Sequence, residues 1–214
     1  MSRAWPWVPL ILLGAYHGLN PAMGWLFALA RGLQEKTRAA VLWALVPIAV
    51  GHGTAIAVAL LVLRLIQGAV PFAFLKVLIA ALLFALAIRR LLRARHPKGG
   101  GMRVGWWGLG WWSFLMASSH GAGLMVIPVL IAHSGHDMAH LAMPAQPGLL
   151  RTPFLVAAIL VHTASLLVVA GILALLSYES YETSGLMLLR RAWFNFDLLW
   201  GCALLVAGAA ALLI

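Results

Sequence analysis

The chain has 214 residues, of which 64% are hydrophobic and only 9% are charged. This composition excludes an ordinary soluble globular protein, which needs much more polar surface. The single cysteine, Cys202, excludes an internal disulfide and a dithiol relay. In so apolar a chain the net charge of +10 does not indicate a nucleic-acid partner, and it favours attraction to an anionic cytoplasmic leaflet.

Apolar runs of about 20 residues recur along the sequence and predict a polytopic all-α membrane protein. We expect six transmembrane helices, over residues 6–30, 40–63, 70–92, 106–132, 152–176 and 192–214. Residues 1–214 then form one domain, in which a Gly/Pro-rich cytoplasmic hinge at 93–105 separates repeat one (6–92) from repeat two (106–214). Three spans per repeat would place the two repeats in opposite orientations, as in inverted-repeat transporters.

Lysine and arginine are unevenly distributed between the predicted loops. Eleven lie in or beside the first, third and fifth loops, against four near the other membrane ends. Positive-inside bias therefore predicts a bacterial-type inner (plasma) membrane protein with both termini outside.

The first predicted span contains polar and helix-breaking residues at bilayer depth. Pro21 has no N–H, so the carbonyl of His17 loses its usual helical partner. Asn20 and Met23 lie beside this break. We therefore expect a broken or kinked helix that presents ligands to a buried cavity.

Four histidines occupy matching places in the two repeats. His17 and His120 belong to the first spans, and His52 and His162 belong to the second spans, 35 and 42 residues later. All four fall near the middle of a predicted span, where ionisable residues are functional candidates.

We interpret these histidines as one transition-metal centre between the repeats. Imidazole suits copper, nickel, cobalt, zinc and iron, and the thioethers of Met23 and Met125 would favour copper(I). Asn20 and the freed His17 carbonyl would add oxygen ligands. We expect all four rings to line one cavity, and the first and fourth spans to cross at Gly18 and Gly121, where small residues allow close approach.

Other interpretations of the histidines stay open. Each imidazole could simply bond a backbone carbonyl, and each methionine is better explained by core packing than by ligation. Two histidines on facing helices could ligate haem, which would make the chain a membrane oxidoreductase or a cofactor-handling protein. A membrane hydrolase would need a carboxylate, and only Asp197 lies in a span. We favour transport over catalysis, with a metal ion and the bilayer as partners, and a homo-oligomer or a membrane partner protein is left open.

A second histidine-rich tract follows the fourth span. His133, His136, Asp137 and His140 could share one helical face, on which they would capture or deliver a metal ion at the outer membrane surface. Unlike a paired-cysteine zinc motif, the tract has no second group of ligands at a fixed spacing. A solvated polar loop is therefore an equal alternative.

Short motifs in the first two spans resemble the lysine-exporter superfamily, and within it the nickel/cobalt efflux and urease-accessory permeases. That group carries a histidine motif in its first span and a Gly-His-Ser/Thr motif in its second, which correspond here to His17-Gly18-Leu19-Asn20-Pro21 and Gly51-His52-Gly53-Thr54. Where the group's first motif has an aspartate and a second histidine, this chain has Asn20-Pro21. The resemblance implies a six-span metal permease with ligands at these positions.

Overall fold

The computed structural model describes residues 7–67, 72–92, 105–138, 152–184 and 196–213, although not the side chains of 67, 72, 90, 131–138, 152, 182–184 and 196–200. This part of the chain contains helices and no strand, which confirms the all-α prediction. The helices are α1 (Trp7–Leu19), α2 (Trp25–Glu35), α3 (Arg38–Gln67), α4 (Phe72–Leu92), α5 (Trp106–Ser119), α6 (Ala122–Met138), α7 (Thr152–Ser184) and α8 (Phe196–Leu213).

Two of these helices are long and apolar enough to cross a membrane without interruption. They include Arg38–Ile66 of α3 and Pro153–Tyr181 of α7, each 29 residues long. A third crossing arises if the bent pair α5–α6 counts as one span. These helices are compatible with a membrane protein, and the full set of six spans stays a prediction.

The first predicted span is broken, as expected from Pro21. The helix α1 ends at Leu19, a single 3-10 turn covers Pro21–Met23, and α2 begins at Trp25. Gly24 joins the turn to α2 with φ of 123°, a conformation in which a Cβ would be strained.

The fourth predicted span, over 106–132, is also broken, although no break was predicted there. The chain turns by 56° between α5 and α6, at His120 and Gly121. Gly121 has φ of 72°, which permits the turn without a proline.

The helices pack as pairs that join distant parts of the sequence. The helix α1 lies along α7, because a Cβ on Gly14 would overlap the carbonyl oxygen of His162 and one on Gly18 would lie 2.5 Å from that of Leu166. In the same way α3 lies along α5, where a Cβ on Gly51 would overlap the carbonyl oxygen of Gly110. Small residues thus allow backbones to approach within van der Waals contact.

The residues in contact reveal the relative directions of these helices. The residue numbers of contacting residues increase together along α1 and α7, so these two helices run parallel. In contrast, Arg38 at the start of α3 pairs with Glu179 near the end of α7 at 3.0 Å, so α3 and α7 run antiparallel. The helix α5 runs parallel to α3, because Trp43 lies against Trp106, Gly110 faces Pro47, and Gly51 faces Phe114. Consequently α1 and α5 point in opposite directions.

The predicted crossing at Gly18 and Gly121 is not found. Gly18 faces α7, and a Cβ on Gly121 would meet side chains of Leu86 and Leu204, which belong to α4 and α8. The small residues of the first and fourth spans therefore serve separate interfaces.

Candidate metal centre

His17 lies in the last turn of α1 and is completely buried. Its Nδ1 lies 2.7 Å from the carbonyl oxygen of Leu13, one turn earlier. Because a carbonyl only accepts, Nδ1 carries the hydrogen, and in a neutral imidazole Nε2 is then the atom with a lone pair. The backbone of α1 thereby fixes both the ring and its tautomer.

His162 reaches the same region from α7. Its Nδ1 donates to the carbonyl of Leu10 at 3.2 Å, and one turn further on Ser165 Oγ donates to that of Ile11 at 2.7 Å. The close contact at Gly14 allows this pairing, because a larger residue there would hold the two backbones apart. His162 is fully buried and also presents Nε2 as its unprotonated nitrogen.

His52, near the middle of α3, completes a cluster of three histidine rings. The centroid of the His17 ring lies 5.5 Å from that of His52 and 4.9 Å from that of His162, and the centroids of His52 and His162 are 5.5 Å apart. Neither ring nitrogen of His52 has a hydrogen-bond partner, and Nε2 of His162 also lacks one. We refer to His17, His52 and His162 as the histidine triad.

His120 lies beside the triad at the break between α5 and α6. It is 1% exposed, and its Nδ1 donates to the carbonyl of Met116 at 2.7 Å, as His17 does to Leu13. It is close enough to interact electrostatically with His17 and His52. All four predicted histidines are therefore buried in one region of the bundle.

The spacing of the triad can be compared with that of a metal site. Three imidazoles bound to one ion at about 2.0–2.1 Å would have ring centroids about 5 Å apart. The observed separations of 4.9–5.5 Å agree with this value. As the side chains stand, however, the described residues contain no group of three or more His, Cys, Asp and Glu that could hold a metal ion. Ligation would thus need the rings to turn, while their distances would change little.

The other candidate ligands near the break in the first span have structural partners. Asn20 Oδ1 accepts from the backbone N–H of Ala22 at 3.0 Å, so this side chain caps the 3-10 turn. The His17 carbonyl, which we expected to be freed by Pro21, accepts from the N–H of Asn20 at 3.1 Å. Met23 and Met125 are 1% and 3% exposed and belong to the apolar core.

The second histidine-rich tract falls mostly outside the description. His133, His136 and Asp137 lie on the backbone of α6, so this part is helical and not the loop that we expected. Their side chains, and all of His140, lie outside the described residues. Asp197 is the second residue of α8, and its side chain also lies outside the description.

One buried polar group beside the triad was missed by the sequence reasoning. Thr163 is 8% exposed and its Oγ1 has no hydrogen-bond partner. It lies where α7 crosses α3, 3.8 Å from the position that a Cβ on Gly53 would take. Its position directly after His162 in the sequence was the signal that could have identified it.

Comparison with known proteins gives no further identification. No protein-family model, no curated protein and no solved structure matches this chain.

Proposed function

We propose that this chain is a membrane transporter for a transition-metal ion, with the histidine triad and His120 as the transient binding site. The observation that carries this proposal is the convergence of three buried imidazoles from three separate helices, with no hydrogen-bond partner for either ring nitrogen of His52 or for Nε2 of His162. A buried polar atom without a partner costs about 1–3 kcal/mol. A metal ion bound by these nitrogens would offset that cost.

The helix directions support two inverted repeats of three spans. The first helices of the two proposed repeats, α1 and α5, are antiparallel, and so are the second helices, α3 and α7. Each first helix packs against the second helix of the other repeat. This reciprocal exchange is what a twofold axis in the membrane plane would generate, and the resemblance to the lysine-exporter superfamily points to the same architecture.

The exchange also indicates which parts would move. In inverted-repeat transporters one repeat commonly rocks against the other, but here α1 packs against α7 and α3 against α5 through close backbone contacts. We infer that the moving units are the pair α1–α7 and the pair α3–α5. The triad takes His17 and His162 from the first pair and His52 from the second, so relative motion of the pairs would open and close the site.

The haem alternative is less well supported by this packing. A porphyrin between two histidine ligands needs helices held well apart, whereas α1 and α7 touch at Gly14 and Gly18. An absorption spectrum of the purified protein tests this alternative, because a Soret band would favour haem over transport.

Metal analysis of the purified full-length chain tests the transporter proposal. Protein prepared without chelators and loaded in turn with copper, nickel, cobalt and zinc should bind about one ion. His52→Phe and His162→Phe should each weaken binding at least about tenfold. Binding should also weaken at lower pH, since protons compete for the same nitrogens.

His96→Ala is the matched control, because His96 lies in the predicted cytoplasmic hinge. This variant should bind metal like the parent chain. Thermal unfolding in detergent would show that the phenylalanine variants remain folded. A parent chain that takes up no metal under any loading condition would refute the proposal.

A further inference from the structure

The donor set of the proposed site is electrically neutral. The triad and His120 supply imidazoles, which are neutral when they bind a metal ion. Of the carboxylates whose side chains are described, Glu35 pairs with Arg31 at 2.8 Å and Glu179 pairs with Arg38 at 3.0 Å.

Both of these carboxylates lie far from the triad. Glu179 is 17 residues beyond His162 on the same helix, which corresponds to roughly 25 Å at 1.5 Å per residue. Glu35 follows Gly32 by three residues on α2, and a Cβ on Gly32 would lie 3.2 Å from Tyr178, the residue before Glu179. The described negative charge is therefore concentrated at one end of the bundle, where it is already neutralised by arginine.

The charge of the ion decides the cost of placing it among neutral ligands. The work of moving an ion from water into a medium of low dielectric constant rises with the square of its charge, so a dication costs about four times as much as a monocation of the same size. Four neutral imidazoles leave the full ionic charge uncompensated in the apolar core. A dication would need an accompanying anion, whereas a monocation needs none.

Ligand softness selects among the monocations. Sodium and potassium prefer oxygen ligands, whereas copper(I) and its homologue silver(I) bind neutral nitrogen and sulphur donors. A filled d-shell imposes no fixed geometry, so two or three imidazoles suffice for copper(I).

We propose that the ion carried by this site is a soft monocation, copper(I), selected over nickel, cobalt and zinc because none of the carboxylates whose side chains are described lies at the triad. This inference rests on the proposed function, since it concerns the same histidines. It differs from the prediction based on Met23 and Met125, because it derives from charge and requires no thioether ligand.

Competitive binding tests whether the site prefers a soft monocation to a divalent metal ion. The purified full-length chain is titrated with silver(I) and, under anaerobic reducing conditions, with copper(I) against a chromophoric copper(I) chelator. Parallel titrations use zinc, nickel and cobalt. We expect copper(I) and silver(I) to bind at least about a hundredfold more tightly than zinc, nickel and cobalt, because a monocation loses less solvation energy than a dication on entering a neutral site. His52→Phe should weaken this binding at least about tenfold, and His96→Ala should leave it unchanged.

Each outcome is decisive. Histidine-dependent binding of zinc, nickel or cobalt at an affinity equal to that of copper(I) would overturn the monocation inference and leave the transporter proposal intact. Absence of binding for every ion tested would remove both. Nitrogen-only coordination in X-ray absorption spectra of the copper(I)-loaded protein would support the charge argument, and sulphur coordination would overturn it in favour of Met23 or Met125.

Discussion

At the scale of single residues, the histidines are positioned by the backbone. Nδ1 of His17 and Nδ1 of His120 each donate to the carbonyl four residues earlier, and both bonds measure 2.7 Å. Each of these histidines lies directly before a break in its helix. The same local device thus occurs at the two positions that the sequence comparison of the repeats identified.

Asn20 was predicted from the sequence to be a metal ligand, whereas in the structure it has a capping role. Its side chain caps the 3-10 turn through the N–H of Ala22. Asn20→Ala should lower the free energy of unfolding by about 1 kcal/mol, whereas Asn20→Ser should retain most of the stability, because serine is also a good N-cap. Thermal unfolding in detergent measures the difference. Metal stoichiometry should be equal in both variants, and a loss of metal with unchanged stability would instead make Asn20 a ligand.

At the scale of helices, the sequence predicted the positions of the helices along the chain better than it predicted which helices pack together. The position of the first break followed from Pro21, because proline removes a backbone donor wherever it occurs. The break at His120 and Gly121 has no such marker, since glycine is compatible with a continuing helix. The pairing of α1 with α7 depends on which small residues face each other across the bundle. The periodicity of a single sequence does not reveal which helices are in contact.

The contact between α3 and α5 gives a prediction at this scale. A Cβ on Gly51 would overlap the carbonyl oxygen of Gly110, whereas one on Gly53 would have its nearest neighbour, the Cγ2 of Ile159, at 3.7 Å. Gly51→Ala should therefore destabilise the protein by about 1–3 kcal/mol through overpacking. Gly53→Ala is the matched control on the same helix and should be neutral or slightly stabilising, since alanine is the better helix former by about 1 kcal/mol.

Thermal unfolding of the two variants and the parent chain, in the same detergent, measures this contrast. If Gly51→Ala were as stable as Gly53→Ala, the close approach of α3 to α5 would be incorrect. The expected stabilities hold whether or not the protein binds a metal.

At the scale of the whole molecule, the charges mark one end of the bundle. The start of α3 and the end of α7 meet through Arg38 and Glu179, and Glu35 pairs with Arg31 on α2. The sequence assigned this end to the cytoplasm from its excess of lysine and arginine. The contacts bring the corresponding segments together, and the orientation itself stays a prediction.

Cysteine labelling tests the orientation. In a Cys202→Ser background, Gly68→Cys should react with a membrane-impermeant maleimide added to intact cells, because Gly68 follows the predicted outer end of α3. Glu35→Cys should react only after the inner face is made accessible, since Glu35 ends α2 at the charged end. Cys202→Ser alone serves as the unlabelled control. The reverse pattern of labelling would invert the topology.

The exchange of helices between the two repeats also has a consequence for the order of synthesis. Ser165 and Ile11, which join α7 to α1, are 154 residues apart in sequence. A ribosome that inserts this chain therefore delivers α1 into the lipid long before its partner exists. Until α7 emerges, the glycine-lined face of α1 lacks the helix against which it packs in the finished structure. Assembly of the core is thus deferred to the last third of translation, and the nascent chain is most exposed to misassembly before that point.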